Sequence, residues 1–265
     1  VHLAYLNTAT LGDAAERLAE AGIPVICHAH EMDFELAATG PANLERLRRC
    51  ARLFVACSQA VKESLMRCAG VEEGRIVVVH ECVDVERALR QAADGGGEDK
   101  AAGTRLVCGM GTVSWRKGVD LFLRVVAELG GEWRGLWIGD LESGPDAARV
   151  RHDLRVLRLE DRVRFTGSVA NPHALLSRAD VFCLTSREDP FPLAMVEAAA
   201  LGLPVIGFQG SGGVEEFAAH GAARTAAYAD THGMARLVEE AAGAAADGRG
   251  AAAARSLCHP DVVGR

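Results

Sequence analysis

The chain has 265 residues, 49% of them hydrophobic, enough for one large domain or two moderate ones around a sizeable core. A formal net charge of -7 and a pI of about 5.7 exclude general nucleic-acid binding through a basic face. Aromatic content is only 5%, and the apolar residues are mostly Ala, Val and Leu, which favours an α/β protein with buried parallel strands over an aromatic-rich β-sandwich.

In chain order, residues 2–6 read as a strand, 12–21 as a helix stopped by Gly22, and 23–27 as a second strand leading into His28-Ala29-His30-Glu31. Residues 43–50 read as a helix and 53–57 as a strand. Ser58 is placed to cap a helix reaching about Cys68, and 76–79 is a further strand. This βαβα order implies a largely parallel sheet. The stretch 83–103, with Gly95-Gly96-Gly97 and mixed charges, breaks the pattern and reads as an exposed connector. The alternation then restarts, with strands expected at 105–109, 135–139, 162–166, 181–185 and 204–208. Helices are expected at 118–129, 145–157, 171–178, 192–201 and 231–246. The Ala-rich run 241–254 is expected to be helical to about Asp247 and frayed beyond it. The division is therefore 1–83, short for a domain, a linker over 84–103, and 104–265, long enough for a complete doubly wound domain.

None of the eight cysteines forms a Cys-x-x-Cys pair, so a zinc ribbon or thioredoxin-like motif has no support. Cys27, Cys57, Cys108 and Cys183 lie in apolar, strand-like runs and read as core residues of a protein in a reducing compartment. No apolar run approaches the roughly 20 residues of a membrane span, and no signal peptide is visible. The chain begins at Val1, inside an expected strand, so a fragment of a longer protein is expected and a missing targeting signal carries no weight.

The most informative stretch runs Thr185-Ser186-Arg187-Glu188-Asp189-Pro190-Phe191-Pro192-Leu193-Ala194-Met195-Val196-Glu197, then Gly202 and Pro204. It reads as a strand end, an acidic loop and a short helix with Pro192 in its first turn, stopped by Gly202 and Pro204. Asp189 and Glu197 bracket the loop and the first turns. Unpaired N–H groups there suit phosphate or sugar oxygens, and a nearby carboxylate suits hydroxyls, a combination that fits a nucleotide sugar.

Gly109-Met110-Gly111-Thr112-Val113-Ser114-Trp115-Arg116-Lys117-Gly118 also follows a strand and precedes a helix. Gly-x-Gly alone is a weak signal and there is no Walker lysine spacing, but Arg116 and Lys117 put two cations beside a helix N-terminus, where they could neutralise a diphosphate. The bland reading is a solvated basic turn. His28 and His30 share one face of an extended segment, a spacing that permits a metal pair with Glu31 as a third ligand. No local His or Cys completes such a site, so a structural or substrate-contacting role is the better reading and no metal is expected. The glycines of 210–213 allow close backbone approach to a ligand, or simply a turn. Gly167-Ser168-Val169 is a weaker case of the same kind, and Asp140 and Glu142 read as ordinary surface acids. These signals fall on loops after successive strands, which open at one edge of a parallel sheet.

On these residues the chain resembles the retaining nucleotide-sugar glycosyltransferases of glycosyltransferase family 4, with the GT-B fold of two Rossmann-like parallel-sheet domains facing a cleft. The resemblance is most specific from Arg162 through Phe217. The family carries a Glu-x7-Glu motif, and Asp189 and Glu197 occupy its two acidic positions. The resemblance implies that Asp189 and the amides around Phe191 and Leu193 face the donor sugar, and that Glu197 grips the ribose hydroxyls. Lys117 matches the lysine on the donor diphosphate. The family's Arg five or six residues earlier falls on Thr112 and Gly111, and Arg116 is the available substitute. His30, ahead of His28, matches a histidine in the N-terminal domain. Gly212, Gly213 and Glu216 match a loop near the donor, and Val169 lies on a further loop at that edge. The family's N-terminal glycine-rich loop has no match in 1–83, so 1–83 is expected to be the C-terminal part of that domain. The implied reaction moves a sugar from a nucleotide-diphosphate donor to an acceptor hydroxyl with retention, in polysaccharide or glycoconjugate synthesis. The acceptor is a sugar, a lipid-linked compound or a small molecule. No cofactor and no metal are implied, consistent with the lack of an Asp-x-Asp motif. The enzyme would be cytoplasmic, with peripheral contact at the inner membrane face for lipid-linked acceptors. A non-catalytic nucleotide-sugar-binding subunit, or an epimerase or phosphorylase on the same fold, are the alternatives.

Overall fold

The structure, a computed structural model, describes residues 2–94, 103–141, 144–242 and 248–258. It divides into two compact units, meeting in sequence between Glu81 and Cys82.

In the first unit, strands β1 (Ala4–Leu6), β2 (Val25–Ala29), β3 (Ala51–Ala56) and β4 (Ile76–Val78) form a parallel sheet in the order β1-β2-β3-β4. The connecting helices are α1 (Gly12–Glu20), α2 (Asp33–Thr39), α3 (Pro41–Cys50) and α4 (Gln59–Ala69), with a short 3₁₀ turn at Glu73–Arg75. Ser58 caps α4 as expected: its Oγ accepts from the Val61 N–H at 3.1 Å. The alternating exposure of β2, with Val25, Cys27 and Ala29 inward, turns His28 and His30 to its other face.

The second unit opens with α5 (Val85–Ala93), where an exposed connector was expected. Asp84 caps this helix by accepting from the Arg87 N–H at 2.8 Å, and Val85 and Ala88 are buried. The glycine run that suggested a linker begins only at Gly95, outside the described residues. Glu142 lies outside them too.

Six parallel strands follow: β5 (Arg105–Met110), β6 (Trp133–Ile138), β7 (Val163–Phe165), β8 (Val181–Leu184), β9 (Val205–Phe208) and β10 (Arg224–Ala226). The helices are α6 (Val119–Glu128), α7 (Pro145–Val156), α8 (Pro172–Leu176), α9 (Leu193–Ala200), α10 (Val214–Ala219), α11 (Thr231–Ala242) and α12 (Arg249–Cys258). The strand order β10-β9-β8-β5-β6-β7 is the doubly wound Rossmann order. Every residue of β8 and β9 is buried, as their unbroken apolar runs require when helices cover both faces. The core includes Phe122, Trp133 and Trp137, with Phe122 and Trp137 edge to face at 5.2 Å.

Two helix boundaries differ from expectation. Pro192 is the residue before α9 rather than part of its first turn, and its carbonyl accepts from the Met195 N–H. Gly202 does close the helix: Leu203 N–H donates to Ala198 O and Gly202 N–H to Ala199 O. The expected helix to Asp247 is described as far as Ala242, its last part, 243–247, lying outside the described residues, and the expected fraying beyond it is instead α12. That helix buries Ala253, Ala254 and Cys258 and packs on α9. Alanine's small side chain lets two helices approach closely, so tertiary packing outweighs the neighbouring glycines.

Candidate donor-binding site

The strand order reverses between β5 and β8, so their crossovers leave on opposite sides and a crevice opens beyond their C-terminal ends. Residues 111–118 follow β5, and 185–192 follow β8. The two loops are bonded to each other. Arg187 N–H donates to Arg116 O at 2.8 Å, and Thr185 Oγ1 donates to Lys117 O at 3.2 Å. Gly118 makes this possible: its φ is +62°, and a Cβ there would stand 2.0 Å from Thr185 O. Arg187 ties the second loop to α6 by a bidentate contact to Asp120 at 2.9 and 2.8 Å, and to the first loop by donating to Trp115 O at 2.7 Å, with its guanidinium 4.9 Å from the Trp115 ring centre. Burial alone would raise the Asp120 pKa, but the guanidinium and the backbone N–H groups at the start of α6 hold it below the usual aspartate range.

Asp189 is the buried centre of this edge. It is 5% exposed, and Oδ2 accepts from Lys117 Nζ at 2.7 Å and from Ser186 Oγ at 2.8 Å. Arg116 reaches the other oxygen at 3.7 Å while donating to Glu188 O at 2.9 Å. The Asp189 backbone is bonded to the 210–213 loop on both sides, its N–H to Ser211 O at 2.7 Å and its carbonyl from Gly213 N–H at 3.1 Å. Gly213 is so close to Phe191 and Pro190 O that a Cβ would lie 2.9 Å from each. Phe191 in turn meets Phe217 edge to face, with ring centres 6.2 Å apart. The stem of Lys117 lies over Gly111, whose carbonyl accepts from Trp137 Nε1 at 2.8 Å.

Thus Gly111, Arg116, Lys117, Asp189, Phe191, Gly212 and Gly213 form one contiguous set. Asp189 and Gly212 even share a β-bridge. Two cations around one carboxylate leave a net positive charge, and Lys117 keeps donor capacity beyond its bond to Asp189. That edge is suited to an anion.

Glu197, half-buried on α9, has a partner that sequence reading missed. Its Oε1 is 3.3 Å from His173 Nε2, close in distance without hydrogen-bond alignment. His173 Nδ1 is 2.7 Å from Gln91 Oε1, and Asn171 Nδ2 donates to Gln91 O at 2.8 Å. The C-terminal part of α5 therefore braces α8 behind Glu197. Asn171-Pro172, a helix-start signature, was the available signal for α8. Nothing local linked Gln91 to it.

Thr112 is exposed on its loop, Leu193 is exposed at the start of α9, and Val169 is half-buried after β7. Glu216 lies on α10, where its charge helps to raise the pKa of Cys258, after burial as the main cause. His30 belongs to the first unit. There its Nδ1 lies 2.9 Å from Glu81 Oε1, a contact that raises the His30 pKa and lowers that of Glu81.

The fold is that of a Rossmann-type α/β protein of the GT-B architecture. The profile described as "Glycosyl transferases group 1" matches residues 96–248, and "Glycosyltransferase Family 4" matches residues 1–87. The chain belongs to the glycosyl transferases group 1 family. It is similar to the N-acetyl-alpha-D-glucosaminyl L-malate synthase of Bacillus anthracis, 35% identical over 103 residues, covering 39% of this chain and 26% of that protein. It is also similar to the 2-deoxystreptamine N-acetyl-D-glucosaminyltransferase of Niallia circulans, 26% identical over 170 residues, covering 62% of this chain and 42% of that protein. The chain thus spans less than half the length of either relative. Among solved structures, Anabaena Alr3699/HepE in complex with UDP-glucose superposes with a TM-score of 0.80 at 22% identity, over 97% of this chain and 75% of that one.

Proposed function

We propose that this chain is the donor-binding part of a glycosyltransferase that moves a sugar from a nucleotide-diphosphate donor to an acceptor hydroxyl. The observation that carries the reading is the Lys117–Asp189–Arg116 cluster at the strand-order reversal, in a chain of this family. Lys117 and Arg116 hold the diphosphate and stabilise its charge as the glycosidic bond breaks. Asp189 and the amides around Phe191 and Leu193 face the sugar, with Gly111, Thr112, Gly212, Gly213, Glu216 and Val169 around the donor. Glu197, braced by His173, binds the ribose. The departing diphosphate takes the acceptor proton on the face it leaves, which retains the anomeric configuration. No metal on the diphosphate and no cofactor enter this step. The acceptor is a sugar, a lipid-linked compound or a small molecule, contacted on the side of His30. All eight cysteines are free, in keeping with a reducing, cytoplasmic setting, where lipid-linked acceptors would draw the enzyme to the inner membrane face. Among the described residues no helix is long and apolar enough to cross a membrane.

The test is a thermal-shift titration with UDP, GDP, ADP and TDP, with Glu197→Ala as control. At about 100 times its dissociation constant, a ligand adds roughly 2.7 kcal/mol of stability. A shift selective for one base, and lost in Glu197→Ala, is the expected result. No shift with any nucleotide in a folded chain would sink the reading.

A further inference from the structure

A second cluster stands at the C-terminal edge of the first unit's sheet. His28 on β2 and His30 just after its end lie with ring centres 4.1 Å apart. Glu81, which follows β4 in the chain, places Oε1 2.9 Å from His30 Nδ1. One ligand atom from each of the three lies within 4.8 Å of the others.

The partners outside the cluster set the ring tautomers. His30 Nε2 is 3.1 Å from Asn7 Oδ1, an acceptor, so Nε2 carries a proton, and a further proton at Nδ1 bridges to the Glu81 carboxylate 2.9 Å away. His28 Nδ1 is 2.8 Å from the Tyr5 hydroxyl, while its Nε2 is buried with no hydrogen-bond partner. With Nδ1–H donating to Tyr5, Nε2 is a lone pair. Two imidazole nitrogens and a carboxylate then converge on one bridging proton, which a metal cation displaces on binding. Each histidine also has an outer partner on its second nitrogen, the pattern that orients metal-binding imidazoles. Glu31, the neighbour expected from sequence as a third ligand, is committed elsewhere. Its carboxylate accepts from Thr8 Oγ1, from Ala9 N–H at 3.0 Å and from His30 N–H at 2.9 Å.

We propose that His28, His30 and Glu81 form a divalent transition-metal site, for Zn²⁺ in the first instance, with a fourth position open to a solvent oxygen. Two imidazoles and one carboxylate are an established three-ligand set for Zn²⁺. Zn–ligand bonds of about 2.0–2.2 Å put tetrahedral ligand atoms about 3.3 Å apart. The His30–Glu81 pair already stands at 2.9 Å, and rotation of half-buried side chains closes the rest.

The test is Zn²⁺ titration of the metal-stripped 265-residue chain against a chromophoric chelator near neutral pH, with Co²⁺ as a spectroscopic probe. The expected result is one equivalent bound at roughly micromolar affinity or tighter. Co²⁺ should give the visible absorption of tetrahedral nitrogen and oxygen ligation. Glu81→Gln and His28→Asn should each weaken binding at least ~10-fold, and Tyr5→Phe, which only releases the His28 ring, by about 10-fold. Cys82→Ser should change nothing. Absence of stoichiometric Zn²⁺ binding would overturn the proposal. So would unchanged affinity in the folded Glu81→Gln and His28→Asn variants, or a thiolate charge-transfer band in the Co²⁺ spectrum.

Discussion

Asp189 is held from every side: by Lys117 and Ser186 at one oxygen, by Arg116 near the other, and by the 210–213 loop along its backbone. A buried carboxylate in such a setting costs little while its cation stays and a great deal once it goes. Lys117→Met should therefore have two separable effects. In denaturant unfolding the stability should fall, but by less than about 3–5 kcal/mol, the cost of an uncompensated buried charge, because Arg116 and Ser186 remain. In calorimetry the loss of affinity should be larger for the nucleoside diphosphate than for the bare nucleoside. Equal losses for the two ligands would remove the diphosphate role and leave only the structural one. Both residues of this pair were singled out in the sequence as separate candidate site residues. Their bond to each other was not, because it joins loops after β5 and β8 that only the strand order brings together.

At the level of elements, the loops after β5 and β8 behave as a single piece, and the Arg187–Asp120 clamp is what ties the latter to α6. The Asp120 pKa is lowered in the fold, so its contribution to stability is complete above the ordinary aspartate value of about 3.9 and is lost as the pH falls through the lower folded value. Asp120→Asn should thus be less stable than the parent at neutral pH. The gap should narrow below about pH 4, where the parent's carboxylate takes up its proton. A constant gap across an acid titration of unfolding free energy would show that the pair acts by packing alone. Strands were the most legible elements, since runs such as Val181–Leu184 are apolar from end to end. Helices α5 and α12 were not, for opposite reasons. The glycines after α5 mimic a linker, and the alanines of α12 carry little periodic contrast until α9 is there to cover them. The third member of the histidine cluster was hidden by distance along the chain: Glu81 follows β4, which only the fold brings near the end of β2.

Across the whole molecule, the eight thiols sort by burial. Cys27, Cys57, Cys108, Cys183 and Cys258 are buried, whereas Cys68 and Cys82 are exposed and Cys50 lies between. Burial pushes the Cys27 and Cys258 thiols up to about 12 and raises Cys108 and Cys183 as well, so these groups are poor nucleophiles until the fold opens. A thiol reagent at neutral pH should label Cys82, Cys68 and Cys50 in the native protein, and the other five only on unfolding. Prompt native-state labelling of Cys108 or Cys183, read by peptide mass mapping, would contradict the core described for the second unit. The reading of the strand-borne cysteines as core residues in the sequence rested on their apolar neighbours, and those same neighbours bury them.

The central position of β5 also bears on how this chain leaves the ribosome. Leu106 on β5 is bonded to Asp180, 74 residues further on, just before β8. At about 5–20 residues per second, roughly 4–15 s of synthesis separate the emergence of one edge of β5 from that of the partner that covers it. During that interval β5, β6 and β7 can associate, but the edge of β5 facing β8 is an unpaired apolar template. Nascent-chain lengths that end between β7 and β8 are therefore those at which a trigger-type chaperone should be held longest and aggregation should be greatest.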